Sequence, residues 1–305
     1  MYSGNGWVAM NIALVYNPGS GRNVALHSLR ELITREGHEL VRVVEHPADA
    51  GGLVDPPVEL AVAAGGDGTV ADTVRALAGR GVPLAILPLG TANNIASTLG
   101  LRGPIEDMAR GWHDATAVPF DMGVLQASGG PQRFVESVGG GLVEACLTSF
   151  VRRPLRGGEP PPWQLVRALR RYAQVLGRLR PRHWSLQLDG RPRDGDFLLV
   201  EVLNTRSVGP NLDLAPDASP SDGALTVVTA REGDRRALRA YIDARLAGRE
   251  GVLELAAEQA RCVDIQDPEA LHVDDALVRV PAGDAVSIRV QAGAVTVLLP
   301  PAIAR

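Results

Sequence analysis

Leu60-Ala61-Val62-Ala63-Ala64-Gly65-Gly66-Asp67-Gly68-Thr69 is an apolar run of strand length that stops at paired glycines, with a helical pattern starting at the threonine. Glycine at such a junction removes the Cβ that would block a phosphate and permits positive φ, so successive N–H groups can face one anion at a helix N-terminus. The same junction occurs on either side. Asn17-Pro18-Gly19-Ser20-Gly21 follows the apolar residues 12–16, and Pro88-Leu89-Gly90-Thr91-Ala92-Asn93-Asn94 follows 84–87. In the latter, Thr91 is expected to offer its hydroxyl to a phosphate and to cap the following helix.

Strands expected at 12–16, 39–44, 60–64 and 84–87 alternate with helices expected from near 23, 69 and 92, the pattern of βα units on a parallel sheet. Ligands of such sheets sit at the carboxyl edge of the strands, where all three glycine junctions fall. Beyond Asp121 the pattern changes. Short strands at 134–138, 184–188, 197–203, 225–229, 263–266, 271–273, 286–290 and 295–299 lack regular intervening helices and predict a largely antiparallel second unit. A Pro/Gly/Arg-rich loop at 152–162 and helices at 163–179 and 235–246 interrupt them. For 305 residues two domains are expected: an α/β unit over 1–124, rejoined by a segment from about 292 to 305, and a β-rich unit over 125–291.

Composition narrows the chemistry. The chain has no lysine; all 31 of its Lys+Arg positions are arginine, which excludes a Walker-type phosphate loop and any Schiff-base reaction. Cys146 and Cys262 stand far apart and imply neither a disulfide framework nor a zinc site. No segment reaches the roughly 18 apolar residues of a spanning helix, and the opening residues lack a signal pattern, so a cytoplasmic protein is expected. Residues 151–183 hold nine arginines against one glutamate in a chain of net charge −4. That overall charge, with only 4% aromatic residues, argues against a nucleic-acid partner.

GGDGT at 65–69 followed by P-x-G-T-x-N at 88–93 resembles the diacylglycerol-kinase catalytic-domain family, which includes bacterial lipid kinases, sphingosine kinases and ceramide kinases. The resemblance extends to Asp121-Met122-Gly123, to FVESVGGG at 134–141, to SPSDGAL at 219–225 and, more weakly, to Val273-Asp274-Asp275. It implies a Rossmann-like N-terminal domain of the NAD kinase/diacylglycerol kinase type and a mainly antiparallel β-sandwich second domain. The implied activity is transfer of the γ-phosphate of ATP, with Mg²⁺, to the hydroxyl of diacylglycerol or a related long-chain alcohol. Carried over position by position, Asn17, Pro18, Gly19, Ser20, Gly21, Gly65, Gly66, Asp67, Gly68, Thr69, Gly90, Thr91 and Asn93 would hold the nucleotide. Asp67 would also organise Mg²⁺, and Asp72, which stands where the family usually has glutamate, would join the nucleotide site as a shorter carboxylate. Asp222, with the carbonyls of Ser219 and Ala224, matches the metal-associated loop.

Members of the family generally carry Asp-Gly-Glu at a strand end, where the acidic group accepts the lipid proton; here the residues are Asp274-Asp275-Ala276. Asp274 or Asp275 is the expected base, Asp274 preferred, because adjacent strand residues face opposite ways. Ala276 motivates one alternative, a catalytically weak nucleotide-binding or regulatory protein. NAD kinase, which shares GGDGT, is another. In 163–179 the residues Leu165, Val166, Leu169, Tyr172, Ala173, Leu176 and Leu179 form one stripe, with Arg167, Arg170, Arg171 and Arg178 off it. The stripe is expected to pack inward and the arginines to meet an anionic membrane at its inner face. A homodimer is compatible with this reading.

Overall fold

The computed structural model describes residues 9–21, 24–45, 53–54, 57–152 and 161–301. By contacts the chain divides into two units, one formed by the residues up to Phe120 together with those from Ala294 onward, the other by Asp121–Gly293.

In the first unit β1 (Asn11–Tyr16) is followed by α1 (Leu26–Arg35), β2 (Glu39–Glu45), β3 (Leu60–Gly65), α2 (Asp67–Leu77), β4 (Leu84–Pro88), α3 (Asn94–Thr98) and α4 (Ile105–Arg110). The strands lie in the order β2-β1-β3-β4 and pair in parallel. Every residue of β3 and β4 is buried, and in β1 all but Asn11, which is why these strands read as unbroken apolar runs. The helix expected from near 23 begins at Leu26, and Asn23 lies outside the described residues.

The second unit takes up the chain within β5 (Thr116–Ala127) and continues through β6 (Gly130–Phe134), β7 (Ser137–Gly141), α5 (Leu142–Arg152) and α6 (Pro161–Leu176). It goes on with β8 (Arg182–Leu188), β9 (Arg191–Pro192), β10 (Gly195–Phe197), β11 (Leu199–Leu203), β12 (Ser207–Val208), β13 (Leu212–Asp213) and β14 (Leu225–Ala230). Then come α7 (Arg235–Leu246), β15 (Ala256–Ala260), β16 (Cys262–Gln266), β17 (Ala270–Val273), β18 (Ala276–Arg279) and β19 (Ala285–Leu299). The end of β19 belongs to the first unit, where Val297 pairs in parallel with Leu84 of β4.

Six strands form the antiparallel sheet β15-β14-β11-β7-β17-β18, and β10-β8-β16 with the first part of β19 form a second antiparallel array. Phe134, Val138, Trp184, Leu186, Val200, Val202, Val263, Ile265 and Ile288 fill one core between them, so the unit is a β-sandwich. On its other face the six-stranded sheet carries α5, α6 and α7, packed through Leu142, Cys146, Leu169, Tyr172, Leu176, Leu199, Leu238 and Ile242. The inward stripe expected of α6 is thus present at Leu169, Tyr172, Ala173 and Leu176, while the Arg-rich loop at 153–160 lies outside the described residues. No helix among the described residues is long and apolar enough to cross a membrane.

Candidate active site

The three glycine junctions share one edge of the parallel sheet. Because β1, β3 and β4 are adjacent and in register, their C-terminal ends deliver the loops side by side: Asn17 N–H donates to Ala64 O (3.3 Å) and Leu89 N–H to Gly65 O (2.8 Å). The closest approach is between Gly66 and Gly90. A Cβ on Gly90 would lie 2.4 Å from the Cα of Gly66, so this edge closes only where both loops lack a side chain. The positive φ that glycine permits is not used here: none of Gly19, Gly65, Gly66, Gly68 and Gly90 is left-handed, whereas Asn93 is (φ 54°). Close packing, and not backbone handedness, explains Gly65, Gly66 and Gly90.

Side chains then lock the loops. Asn93 Oδ1 accepts from Gly90 N–H and its Nδ2 donates to Gly90 O, both at 2.9 Å. Asp67 Oδ1 accepts from Ile95 N–H (3.0 Å), joining the second junction to the third. Asn17 Oδ1 accepts from Gly19 N–H (2.8 Å), so that amide is occupied within its own loop. Ser20 is buried, and its Oγ has no hydrogen-bond partner among the described residues. The first α-type bond of α2 is Val70 N–H to Gly66 O, so the amides of its first turn point out of the helix N-terminus. Thr69 is buried there, whereas at Gly68 the space a Cβ would occupy is open, with nothing within 4 Å. One expectation changes: Thr91 is not a helix cap, since α3 starts at Asn94 with Asn93 in the capping position. Asp72 lies exposed on α2, paired with Arg75 (2.5 Å).

In the second unit the loop at 219–224 hangs on Asp121, a residue to which the motif assigns no role. Its buried carboxylate accepts from Gly223 N–H and from Gly293 N–H, each at 2.7 Å, and its own N–H donates to Pro220 O (2.6 Å). Asn204, also buried, donates to the carbonyls of Asp121 and Val135 (2.9 Å each). Asp222 is exposed; Oδ1 accepts from Ala224 N–H and Oδ2 from Gln259 Nε2, both at 3.0 Å. Each oxygen of Asp222 keeps one lone pair. Among the described residues no three His, Cys, Asp or Glu side chains gather around a metal-sized space.

Asp274 and Asp275 form the two-residue loop between β17 and β18, where Val273 pairs with Ala276. They are turn residues, not strand residues, so alternation of faces does not govern them. Asp274 is left-handed (φ 48°), and its carboxylate accepts from the amides of Val135, Glu136 and Ser137 at 2.8–3.2 Å. Three backbone donors thus hold the Asp274 side chain in place. Asp275 is exposed beside it. Below the turn, burial alone would depress the pKa of His272, but the adjoining Glu201 carboxylate and the Asp274 carbonyl outweigh it and hold it above the ordinary histidine value.

Residues 11–125 match the family described as the diacylglycerol kinase catalytic domain, and 163–299 the YegS C-terminal NAD kinase beta sandwich-like domain. A diacylglycerol kinase of Bacillus subtilis (strain 168) is 30% identical over 234 residues, 72% of this chain and 74% of that protein. Another of Mycobacterium tuberculosis (strain ATCC 25618 / H37Rv) is 28% identical over 272 residues, covering 84% and 85%. Among solved structures, a diacylglycerol kinase of Bacillus anthracis str. Sterne superposes with a TM-score of 0.69 at 20% identity, over 97% of this chain and 98% of that one. Yeast NADH kinase complexed with NADH gives 0.51 at 11% identity over 95% and 84%. The expected pairing of a kinase-type α/β unit with an antiparallel sandwich is the fold observed.

Proposed function

The chain belongs to the diacylglycerol kinase catalytic-domain family, and from that premise we propose how its own residues serve an ATP-dependent transfer of phosphate to a lipid hydroxyl. The observation that carries the reading is the backbone contact of Gly66 with Gly90, which gathers three phosphate-type loops at one sheet edge.

In this reading the triphosphate lies against the first turn of α2 and the loops at 17–21 and 88–94. Charge is met there by main-chain N–H groups and the helix dipole, because no ammonium side chain exists to meet it. The Ser20 hydroxyl, without a partner among the described residues, donates to a phosphate oxygen. Asp67 stands at the same helix start, held by Ile95 N–H, where it orients nucleotide and metal. The chemistry Mg²⁺ would supply when bound is neutralisation of the charge that builds during transfer. An ion that keeps much of its water and takes one or two carboxylates needs no side-chain cage, so Asp67 and, separately, Asp222 would each suit one. Asp275 is the general base for the acceptor hydroxyl, with Asp274 fixing the turn that presents it. The acceptor is diacylglycerol or a similar long-chain alcohol, taken from a membrane with which α6 makes peripheral contact.

The test is transfer of labelled phosphate from ATP to a panel of dispersed lipids in the presence of Mg²⁺, with NAD as a competing acceptor. Labelled diacylglycerol is expected, and Asp67→Ala should abolish it. Label in NAD alone, or in no acceptor, would replace this reading by one of its alternatives.

A further inference from the structure

Beneath the acidic turn the second unit buries an ion pair. His272 Nε2 lies 2.8 Å from Glu201 Oε1, and the side chains are 1% and 0% exposed. The two residues are not on neighbouring strands. β7 runs between β11 and β17, and the register sets Gly139 opposite both Glu201 and His272. Strands two apart are separated by about 9–10 Å, a gap that a glutamate and an imidazole close only over a residue with no side chain. A Cβ at 139 would lie 2.5 Å from Glu201 Oε2 and 2.3 Å from Val200 O.

The other ring nitrogen, Nδ1, lies 2.8 Å from the carbonyl oxygen of Asp274. A carbonyl is an acceptor, so Nδ1 carries a proton; with Glu201 ionised Nε2 carries one as well, and the ring is an imidazolium held against a carboxylate. The same Asp274 gives its carboxylate to the amides of residues 135–137 and its N–H to Ser137 O (2.8 Å). The turn is thereby gripped at its carbonyl from within the sheet and at its side chain from the β6–β7 connection.

We propose that Glu201 and His272 are positioning residues for phosphoryl transfer, clamping the Asp274 carbonyl and so fixing the turn from which Asp275 takes the proton of the lipid hydroxyl. The proposal rests on the lipid-kinase reading and on Asp275 as base. It predicts a loss in kcat without a loss in ATP affinity, because the nucleotide loops belong to the other unit. A catalytic group misplaced by about 1 Å costs on the order of 100-fold in rate. The titratable groups around the ring are Glu201 from β11 and Asp274 from the turn. Tyr172 of α6 lies in the same field, its phenol pushed up by burial and by Cys146, Glu201, Asp275 and Glu136. Losing the imidazolium proton leaves Glu201 buried without a counter-charge, so the alkaline limb of kcat belongs to this pair. In Glu201→Gln an amide N–H donates to neutral Nε2 while Nδ1–H keeps Asp274, and no proton titrates.

The experiment measures kcat and KM for ATP against pH with dispersed diacylglycerol, for the full-length wild type, His272→Gln, Glu201→Ala and Glu201→Gln. Glu201→Ala and His272→Gln should lose about 10- to 100-fold in kcat with KM for ATP unchanged. Glu201→Gln should recover most of the Glu201→Ala loss and flatten the alkaline limb. Wild-type kcat in the first two variants, or an unmoved alkaline limb in Glu201→Gln, overturns the proposal. A wild type inert toward every lipid overturns the kinase reading beneath it, and an undiminished Asp275→Asn overturns the base assignment. If Glu201→Ala does not fold, nitrogen shifts of the wild-type ring decide: a titration midpoint above the ordinary histidine value is expected, and one at or below it overturns the proposal.

Discussion

A methyl group at position 90 has nowhere to go, because its carbon would fall 2.4 Å from the Cα of Gly66, and backbone cannot swing aside as a side chain can. Gly90→Ala should therefore cost about 1–3 kcal/mol in urea unfolding, typical of overpacking, and weaken ATP binding. Gly68→Ala, with nothing within 4 Å of its Cβ, should stay within about 0.5 kcal/mol of wild type and serve as its control. The two neighbouring acids separate in the same way. Asp274→Asn removes a charged acceptor shared by three amides and should cost about 1.5–3 kcal/mol, visible in thermal unfolding. Asp275→Asn should leave the melting temperature alone and lower kcat by about 10²–10⁴-fold. Protonation of His272 carries its own signature. Its folded pKa is raised, so the stability it contributes is complete below the ordinary histidine value of 6.5 and is lost as pH rises through the higher folded value. A stability-pH curve for Glu201→Gln should lack that alkaline decline.

Among elements, α6 departs most usefully from its sequence reading. The stripe packs inward, but Arg171 is not part of an outward face; it donates to Ser149 O (2.9 Å) and Oγ (2.7 Å) and lies 5.3 Å from the Phe150 ring. Arg170 and Arg178 are exposed, as are Trp163 and Val151 nearby. Replacing Arg170 and Arg178 by glutamine should weaken co-sedimentation with anionic vesicles by about 1 kcal/mol per residue and leave neutral vesicles unaffected. Arg171→Gln should instead lower stability. The phosphate loops are legible because each is a local sentence: strand, glycines, helix. What cannot be read locally are contacts made by register. Asp121 meets Gly223 and Gly293 across 102 and 172 residues, and Glu201 meets His272 only because Gly139 lies between them. The acidic pair reads as strand for a related reason, since a two-residue hairpin leaves no glycine, proline or asparagine at 274–275 to announce it.

For the molecule as a whole, the first unit is made from two stretches of chain separated by the whole of the second. Its late stretch is structural: Val297 pairs with Leu84 of β4, Gly79 N–H donates to Ala294 O (3.1 Å), and Pro300 packs where a Cβ on Gly111 would be. A protein stopped after Gly293 should thus lose ATP binding and show a less cooperative melt, checked by calorimetry and nucleotide titration. The sandwich, by contrast, is one uninterrupted run from Asp121 to Gly293. On the ribosome this imposes an order. Every strand that Asp121–Gly293 contributes to the sandwich is translated before residues 294–299, while β1–β4 must wait, their edge uncovered, for those residues. The newborn polypeptide thereby completes its nucleotide-handling half only after the sandwich has been made, and that interval is when a chaperone would be most needed.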